Sequence, residues 1–399
     1  MDIAIEGGEL LHDGAFVEGT LTVSGGRIAA LSSSAARNLP RLDARGLLVL
    51  PGIVDIHGDA FERQIMPRPG VDFAMDIALV DSDRQAIANG ITTVFHGLTW
   101  SWEPGLRGAD NAHRFINALA AVRAKLAADT RLHLRHETYN LDAEPTLQRW
   151  LSERQIGLLA FNDHMQQAMI DTTRPQKRGG MVVRTGLSDQ EFDVLVEQTA
   201  ARADEVQPSI KRLAATARAA GVRMLSHDDE SPLQRIDYRS LGIAVSEFPT
   251  NEATAREAIA GGDLTVFGAP NVVRGGSHTG WTSAATMVEK GLCSILASDY
   301  YYPAPLLAPF RLAADRIVPL NEAWSLVSRA PAIAAGLDDR GSLSAGKRAD
   351  VILVDSSDAL RPRVVAVITH GRIVHLTEAH RLHAPRAIAE ALERASVSA

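Results

Sequence analysis

A (β/α)₈ barrel with a small β-sandwich built from the two chain ends is the fold class this sequence predicts, and three observations predict it. Strand-like runs cluster at both ends. Between them, short apolar β-rich runs alternate with amphipathic helical stretches. Eight such runs can be counted in the middle, the number a closed parallel barrel needs, and such a barrel takes about 250 residues of a chain.

Taken in order, residues 1–50 give short strands. Ile3–Ile5 alternate with small neighbours, and Gly25-Gly26 stand between the two β-rich halves of Thr20–Leu31, a hairpin signal. The barrel strands are then expected at Gly52–His57, Ile91–His96, Arg131–Glu137, Ile156–Asn162, Val222–His227, Gly242–Glu247, Leu264–Gly268 and Leu292–Ser298. Helices are expected at Asp110–Ala128, Asp189–Ala220, Glu252–Gly261 and Thr282–Gly291. Asp171–Thr185 is polar, basic and Gly-rich, and is expected to be a long mobile loop. Arg348–His375 returns to β character around a His370-Gly371 turn. Residues 1–50 and 341–380 are therefore expected to pair as one β domain around a barrel at 51–340, followed by a C-terminal helix at 381–399.

Composition excludes several classes. With 46% hydrophobic and 22% charged residues in 399, there is material for a large core. A net charge of −7 argues against a nucleic-acid binder, although a local arginine cluster can still hold an anionic substrate. One cysteine, Cys293, precludes an internal disulfide and fits a reducing cytoplasm. No apolar run approaches the ~20 residues of a membrane span, and the N-terminus lacks a signal-peptide pattern. A cytoplasmic enzyme with a small-molecule substrate, no membrane and no nucleic acid is expected. Barrels of this kind often form homodimers, and nothing in the sequence fixes an interface.

In such a barrel the chemistry sits at the strand C-termini. Here those ends are His57-Gly58-Asp59, His136-Glu137, Asn162-Asp163-His164, His227-Asp228-Asp229-Glu230, Glu247 and Ser298-Asp299. Imidazole and carboxylate together suit one or two divalent ions, Zn²⁺ first and Mn²⁺ or Fe²⁺ as alternatives. Each residue alone is weak: a lone His at a strand end is more often structural, and Asp59 by itself fits a turn cap. Their convergence on one mouth carries the argument, because burying so many ionisable groups is costly without a cation.

Asp299 is the general-base candidate, taking a proton from attacking water and returning it to the leaving group. Arg63, Arg68 and Arg274 can bind phosphate, and equally fit surface ion pairs. Ser277 and His278 add donors after Arg274 in a Gly-rich turn of the kind that binds phosphate in this fold. Tyr301 belongs to a tyrosine run suited to a substrate wall. Lys177, Arg178 and Arg184 are placed to close over the site, though a charge run is usually a solvated face.

LPGIVDIHGD at Leu50–Asp59 and GSLSAGKRADVILVD at Gly341–Asp355 resemble amidohydrolase superfamily motifs. GITTVFHGL, LRHE, LSHDD, GAPNVVRGGSHTG and SDYYYP resemble, more narrowly, the PhnM family of phosphonate metabolism. The resemblance spans essentially the whole chain. It implies a hydrolase cutting the triphosphate of α-D-ribose 1-methylphosphonate 5-triphosphate to leave the 5-phosphate and release diphosphate. It further implies His57, Asp59, Glu137, His164 and His227 as metal ligands, with Asp299 as acid/base. The superfamily's later histidines usually lie on strands 5 and 6, whereas His164 and His227 fall on strands 4 and 5. Either a strand is hidden, at Met181–Thr185, or the ligand set is rearranged. Two alternatives stand beside this reading: hydrolysis of an amide or cyclic amide, or deacylation of a small anion, with the arginines holding a carboxylate; and a non-catalytic scaffold.

Overall fold

The computed structural model describes residues 2–32, 38–68, 70–165, 168, 175–276 and 283–386. Eight parallel strands follow one another around a ring: β1 Ile53–Gly58, β2 Ile91–Trp100, β3 Asp129–Glu137, β4 Leu158–Asn162, β5 Arg223–His227, β6 Val245–Glu247, β7 Leu264–Gly268 and β8 Ile295–Ala297. The strand count of eight holds, and Met181–Thr185 hides no ninth strand; it belongs to a helix, Pro175–Thr185. That helix also corrects the expectation of a loop over Asp171–Thr185, as far as the described residues go. The long helix expected at Asp189–Ala220 is two, Asp189–Ala200 and Ala203–Ala220. The second carries Pro208 inside its second turn, where the ring removes one backbone N–H donor.

The ring closes at one glycine. A parallel bridge joins Gly58 to Asp299, Asp299 N donates to the His57 carbonyl at 2.9 Å, and Asp59 N donates to the Asp299 carbonyl at 2.9 Å. Buried Asp55 accepts from Ser298 N at 3.0 Å and Ser298 Oγ at 2.5 Å. A Cβ at position 58 would lie 2.7 Å from Asp55 Oδ2 and 2.8 Å from Ser298 Oγ, so only glycine fits. Val54, Ile56, Phe95, Leu158, Leu225 and Val266 fill the interior below this level. The barrel is a packed core with polar groups confined to its mouth.

Both chain ends join one nine-stranded sheet, in the order Arg372–Leu376, Arg363–Thr369, Val351–Asp355, Leu48–Pro51, Ile3–His12, Ala15–Ser24, Arg27–Ser32. The ends meet where Leu48–Pro51 pairs antiparallel with Val351–Asp355, so the expected union of the termini is observed. Both glycine turns form as expected, with Gly25 and Gly26 at φ 57° and 80° and His370 and Gly371 at φ 47° and 73°. The turns touch: a Cβ on Gly371 would come within 2.8 Å of Gly26 Cα. At the end of the described chain, Leu382–His383 forms a short strand against Arg41–Asp43; the rest of the segment expected to be helical, 387–399, lies outside the described residues. No described helix is long and apolar enough to cross a membrane.

Sheet and barrel are fastened by Arg340. Its buried guanidinium donates to Thr93 Oγ1 at 2.8 Å and pairs with Asp129 at 2.7 Å and Asp339 at 2.8 Å. Burial would raise the Asp129 carboxyl, but Arg131 and Arg340 outweigh it and hold it at about 2. Against the ordinary aspartate value of about 3.9 this is worth on the order of 2 kcal/mol, present above the unfolded value and lost as pH falls towards 2. Arg340→Met should lower unfolding free energy by about 1–3 kcal/mol at pH 7 in urea titrations, because it removes one of the two guanidiniums that hold a partly buried carboxylate. Between pH 4 and pH 2 the gap between variant and parent should shrink; a constant gap would show that the ion pair is not its source.

Candidate metal centre

Alternation along β3 sets the site. His133, Arg135 and Glu137 share the inner face, beside Leu158, Ala160 and Asn162 of β4, while Leu134 and His136 face the helices. β1 brings His57 inward, β5 His227 and β6 Glu247. Glu247 is fully buried and accepts from His57 Nδ1 at 2.9 Å and His227 Nδ1 at 3.4 Å, with His133 Nε2 at 3.7 Å. The His57 and His227 rings stack, 5.3 Å apart and 14° from parallel. One carboxylate thus fixes both rings with Nδ1 protonated and leaves each Nε2 lone pair for the mouth, the arrangement in which a carboxylate orients metal-binding imidazoles.

A second pair repeats the device. Glu137 Oε1 accepts from His164 Nδ1 at 2.6 Å and its Oε2 from the His164 backbone N–H at 3.1 Å, so both oxygens are committed to that residue. His164 Nε2 and His227 Nε2 then converge on Asp228, at 3.6 and 3.7 Å from its oxygens. Two donor groups have the spacing a cation needs: His57–His133–Glu247 and His164–His227–Asp228. The first is a fully buried hydrogen-bonded network that orients His227 of the second, which leaves the Nε2 atoms as the candidate donors to a cation.

Asp59 and Asp299 complete the mouth, and Arg135 stands in its middle. Arg135 Nη2 lies 2.8 Å from His227 Nε2 and Nη1 lies 3.6 Å from Asp59. Burial, and next the charge of Asp59, push the Asp299 carboxyl up to about 7 against the pull of Arg135. Burial holds His57 down at about 3 and His227 well below its usual value, so both are neutral near pH 7, as metal binding requires. For His164, burial is outweighed by Glu137 and Asp228, which carry it to about 9. Among the described residues Asp59, Glu137, Asp228, Glu247 and Asp299 gather around two cations, Arg135 and His164, with the charge of Arg107 also acting on Asp59, and a divalent ion fits that excess of carboxylates.

The residues expected to bind anions lie on the rim. Arg63 sits over the Tyr300 ring at 5.7 Å from its centroid, and Arg274 Nη1 donates to Tyr300 Oη at 3.2 Å. Arg68 is exposed, and among the described residues none of the three pairs with a carboxylate. Tyr301 is 45% exposed, so within the tyrosine run it is Tyr300 that meets both arginines. Ser277 and His278 lie outside the described residues, as does the Lys177 side chain. Arg178 is held by Asp193 at 2.5 Å and Arg184 by Glu103 at 2.6 Å, so neither closes over the mouth. A cavity of about 850 Å³ opens outside the β2 and β3 loops, away from the histidines. Its carboxylates Asp72, Glu103 and Asp110 make it unsuited to phosphate.

Sequence reasoning placed His57, Asp59, His164, His227 and Asp299 at strand ends, and all five meet here. It passed over His133 and Arg135, and it named Asp228 and Glu247 only as strand-end residues and Tyr300 only within the tyrosine run. The first two carry a signal: counting back by twos from Glu137 puts them on the same inner face.

Comparison with known proteins agrees. The family described as "Amidohydrolase family" matches residues 71–375. The chain is 34% identical, over 357 residues covering 88% of it and 94% of the other protein, to alpha-D-ribose 1-methylphosphonate 5-triphosphate diphosphatase of Escherichia coli (strain K12). An amidohydrolase structure from a Sargasso Sea environmental sample superposes with TM-score 0.65 at 16% identity, covering 100% of both chains. Dihydropyrimidinase from Brevibacillus agri NCHU1002 does so with TM-score 0.63 at 13% identity, covering 97% of each.

Glu247→Ala should leave far-UV circular dichroism intact and weaken zinc affinity about 10–100-fold in chelator competition, since two imidazoles lose their orienting partner. Unchanged affinity would mean that Glu247 does not set those rings.

Proposed function

The chain belongs to the amidohydrolase family, and from that premise we propose that it is a metal-dependent diphosphatase acting on α-D-ribose 1-methylphosphonate 5-triphosphate, leaving the 5-phosphate and releasing diphosphate. The observation that carries this at the site is the meeting of Arg63 and Arg274 on Tyr300, the residue next to Asp299. It sets two guanidiniums without carboxylate partners beside a candidate proton acceptor, on a chain whose net charge is −7. The similarity to the Escherichia coli diphosphatase, over 94% of its length, supports the same substrate class.

His57, His227 and His164 through their Nε2 atoms, with Asp59 and Asp228, would hold the ion, while Glu137 and Glu247 orient those rings. Zn²⁺ suits this mixed imidazole and carboxylate set best, with Mn²⁺ or Fe²⁺ next. When bound, the ion supplies Lewis-acid polarisation of water and of a phosphoryl oxygen. Arg63, Arg68 and Arg274 grip the polyphosphate at the rim, where a planar guanidinium can offer two parallel donors to one phosphate. Ser277 and His278 extend that rim. Asp299 takes the proton of the attacking water and passes it to the departing diphosphate, the role its raised carboxyl suits near neutrality.

Purified, metal-loaded protein should release diphosphate from this ribosyl triphosphate and stop on chelation. Asp299→Asn should cut kcat by about 10²–10⁴-fold while leaving zinc content intact. Failure of the parent protein to cleave any phosphoanhydride would reject the substrate class. A double Arg63→Ala, Arg274→Ala variant should raise KM tenfold or more in steady-state assays; an unchanged KM would remove the rim from phosphate binding.

A further inference from the structure

Three inner-face residues near the mouth have no use in the scheme above. Thr99 of β2 is 1% exposed, Arg135 of β3 is 5% exposed and Asn162 of β4 is 0% exposed. Thr99 and Arg135 are ladder partners, and Asn162 lies opposite Glu137, two residues above Arg135, so the three occupy adjacent inward positions on one wall. Thr99 Oγ1, Arg135 Nε and both side-chain polar atoms of Asn162 find no hydrogen-bond partner. Buried polar atoms are almost always paired, and leaving one unpaired costs free energy comparable to a lost hydrogen bond. Four such atoms on one wall beside the imidazoles mark a surface whose partner arrives from outside.

We propose that Thr99, Arg135 and Asn162 form a phosphoryl subsite that hydrogen-bonds the non-bridging oxygens of the polyphosphate beside the metal centre. The chemistry selects the ligand. The wall offers a hydroxyl, a guanidinium N–H and an amide NH₂ as donors, and the one carboxylate beside them, Glu137, has both oxygens taken up by His164; a tetrahedral oxyanion meets all three donors. Arg135 is placed to add a second bond, because Nη2 rests on His227 Nε2, the atom a cation would claim. Occupation of that nitrogen frees the guanidinium for the anion. The rim arginines then capture the polyphosphate, and this wall fixes it for attack.

This inference rests on the diphosphatase reading, and inorganic diphosphate separates the two. Binding to the metal-loaded full-length protein is measured by calorimetry for the parent, Thr99→Val and Asn162→Leu, alongside the melting temperature without ligand. Each variant should lose tenfold or more in diphosphate affinity. Its melting temperature should hold or rise, since an unpaired buried polar group has been replaced by an apolar one. Affinities within twofold of the parent in both variants would overturn the subsite, as would melting temperatures lowered by several degrees with affinity kept, the mark of groups paired through ordered water. A parent protein that binds no diphosphate would overturn the diphosphatase reading itself, and the subsite with it.

Discussion

The centre depends on one buried carboxylate. Glu247 has no water to solvate it, and burial raises its carboxyl to about 7, against the pull of His133 and Arg135. What makes its position tenable is the ring of imidazoles it holds. His57 and His227 come from strands 190 and 20 residues away along the chain, and both turn Nδ1 towards it. The same bonds that satisfy Glu247 aim two Nε2 lone pairs upward. Orientation of ligands and satisfaction of a buried acid are one interaction, so neither can be altered without the other.

Backbone conformation supports this geometry. Asp228 and Phe248 follow β5 and β6 directly, Asp299 follows β8 after Ser298, and all three adopt left-handed φ values, 57°, 52° and 54°. Residues other than glycine rarely do so, and at a cost on the order of 1 kcal/mol or more each. At these positions the chain turns sharply off the strand, so that the residue after the last inward side chain also reaches the mouth. Asp228 meets His164 and His227 in this way, and the Phe248 ring packs edge-on against His57 and His227 at 4.9 and 5.3 Å. At these strand ends the turned residues still donate to a neighbouring strand: Asp228 N to the Glu247 carbonyl at 2.8 Å, Phe248 N to the Val266 carbonyl at 2.9 Å and Asp299 N to the His57 carbonyl at 2.9 Å.

The barrel was legible because β-strand period and strand-end chemistry are local signals. Seven of the eight apolar runs stop on a polar residue, and the β-rich ends carry their own glycine turns. The candidate metal ligands at strand ends were legible for the same reason. Glu247 was visible as a strand end, but nothing local says that its partners are β1 and β5. His133 was masked by position, since a histidine in mid-strand looks like any core residue until the inner face is counted. The helix at Pro175–Thr185 was missed because Gly179 and Gly180 lower helix propensity; packing overrides it, with Met181 buried against Met165, Phe192 and Val196. In the tyrosine run, composition could not separate Tyr300 from Tyr301, because only the turn after Asp299 decides which ring meets the arginines.

Charge is segregated by depth, and this explains how an acidic chain can take a polyanionic substrate. Inside the mouth, carboxylates outnumber cations, so the interior attracts a divalent ion and repels phosphate while that ion is missing. On the rim, Arg63, Arg68 and Arg274 have no acidic partners among the described residues, so they attract phosphate whether or not an ion is bound. Within the screening length of about 8 Å at physiological salt, each group senses its own neighbourhood more than the net −7 of the chain. The order of events follows from that separation. A cation must first neutralise the interior before a phosphate held at the rim can descend to Asp299, which ties substrate entry to metal loading through electrostatics alone.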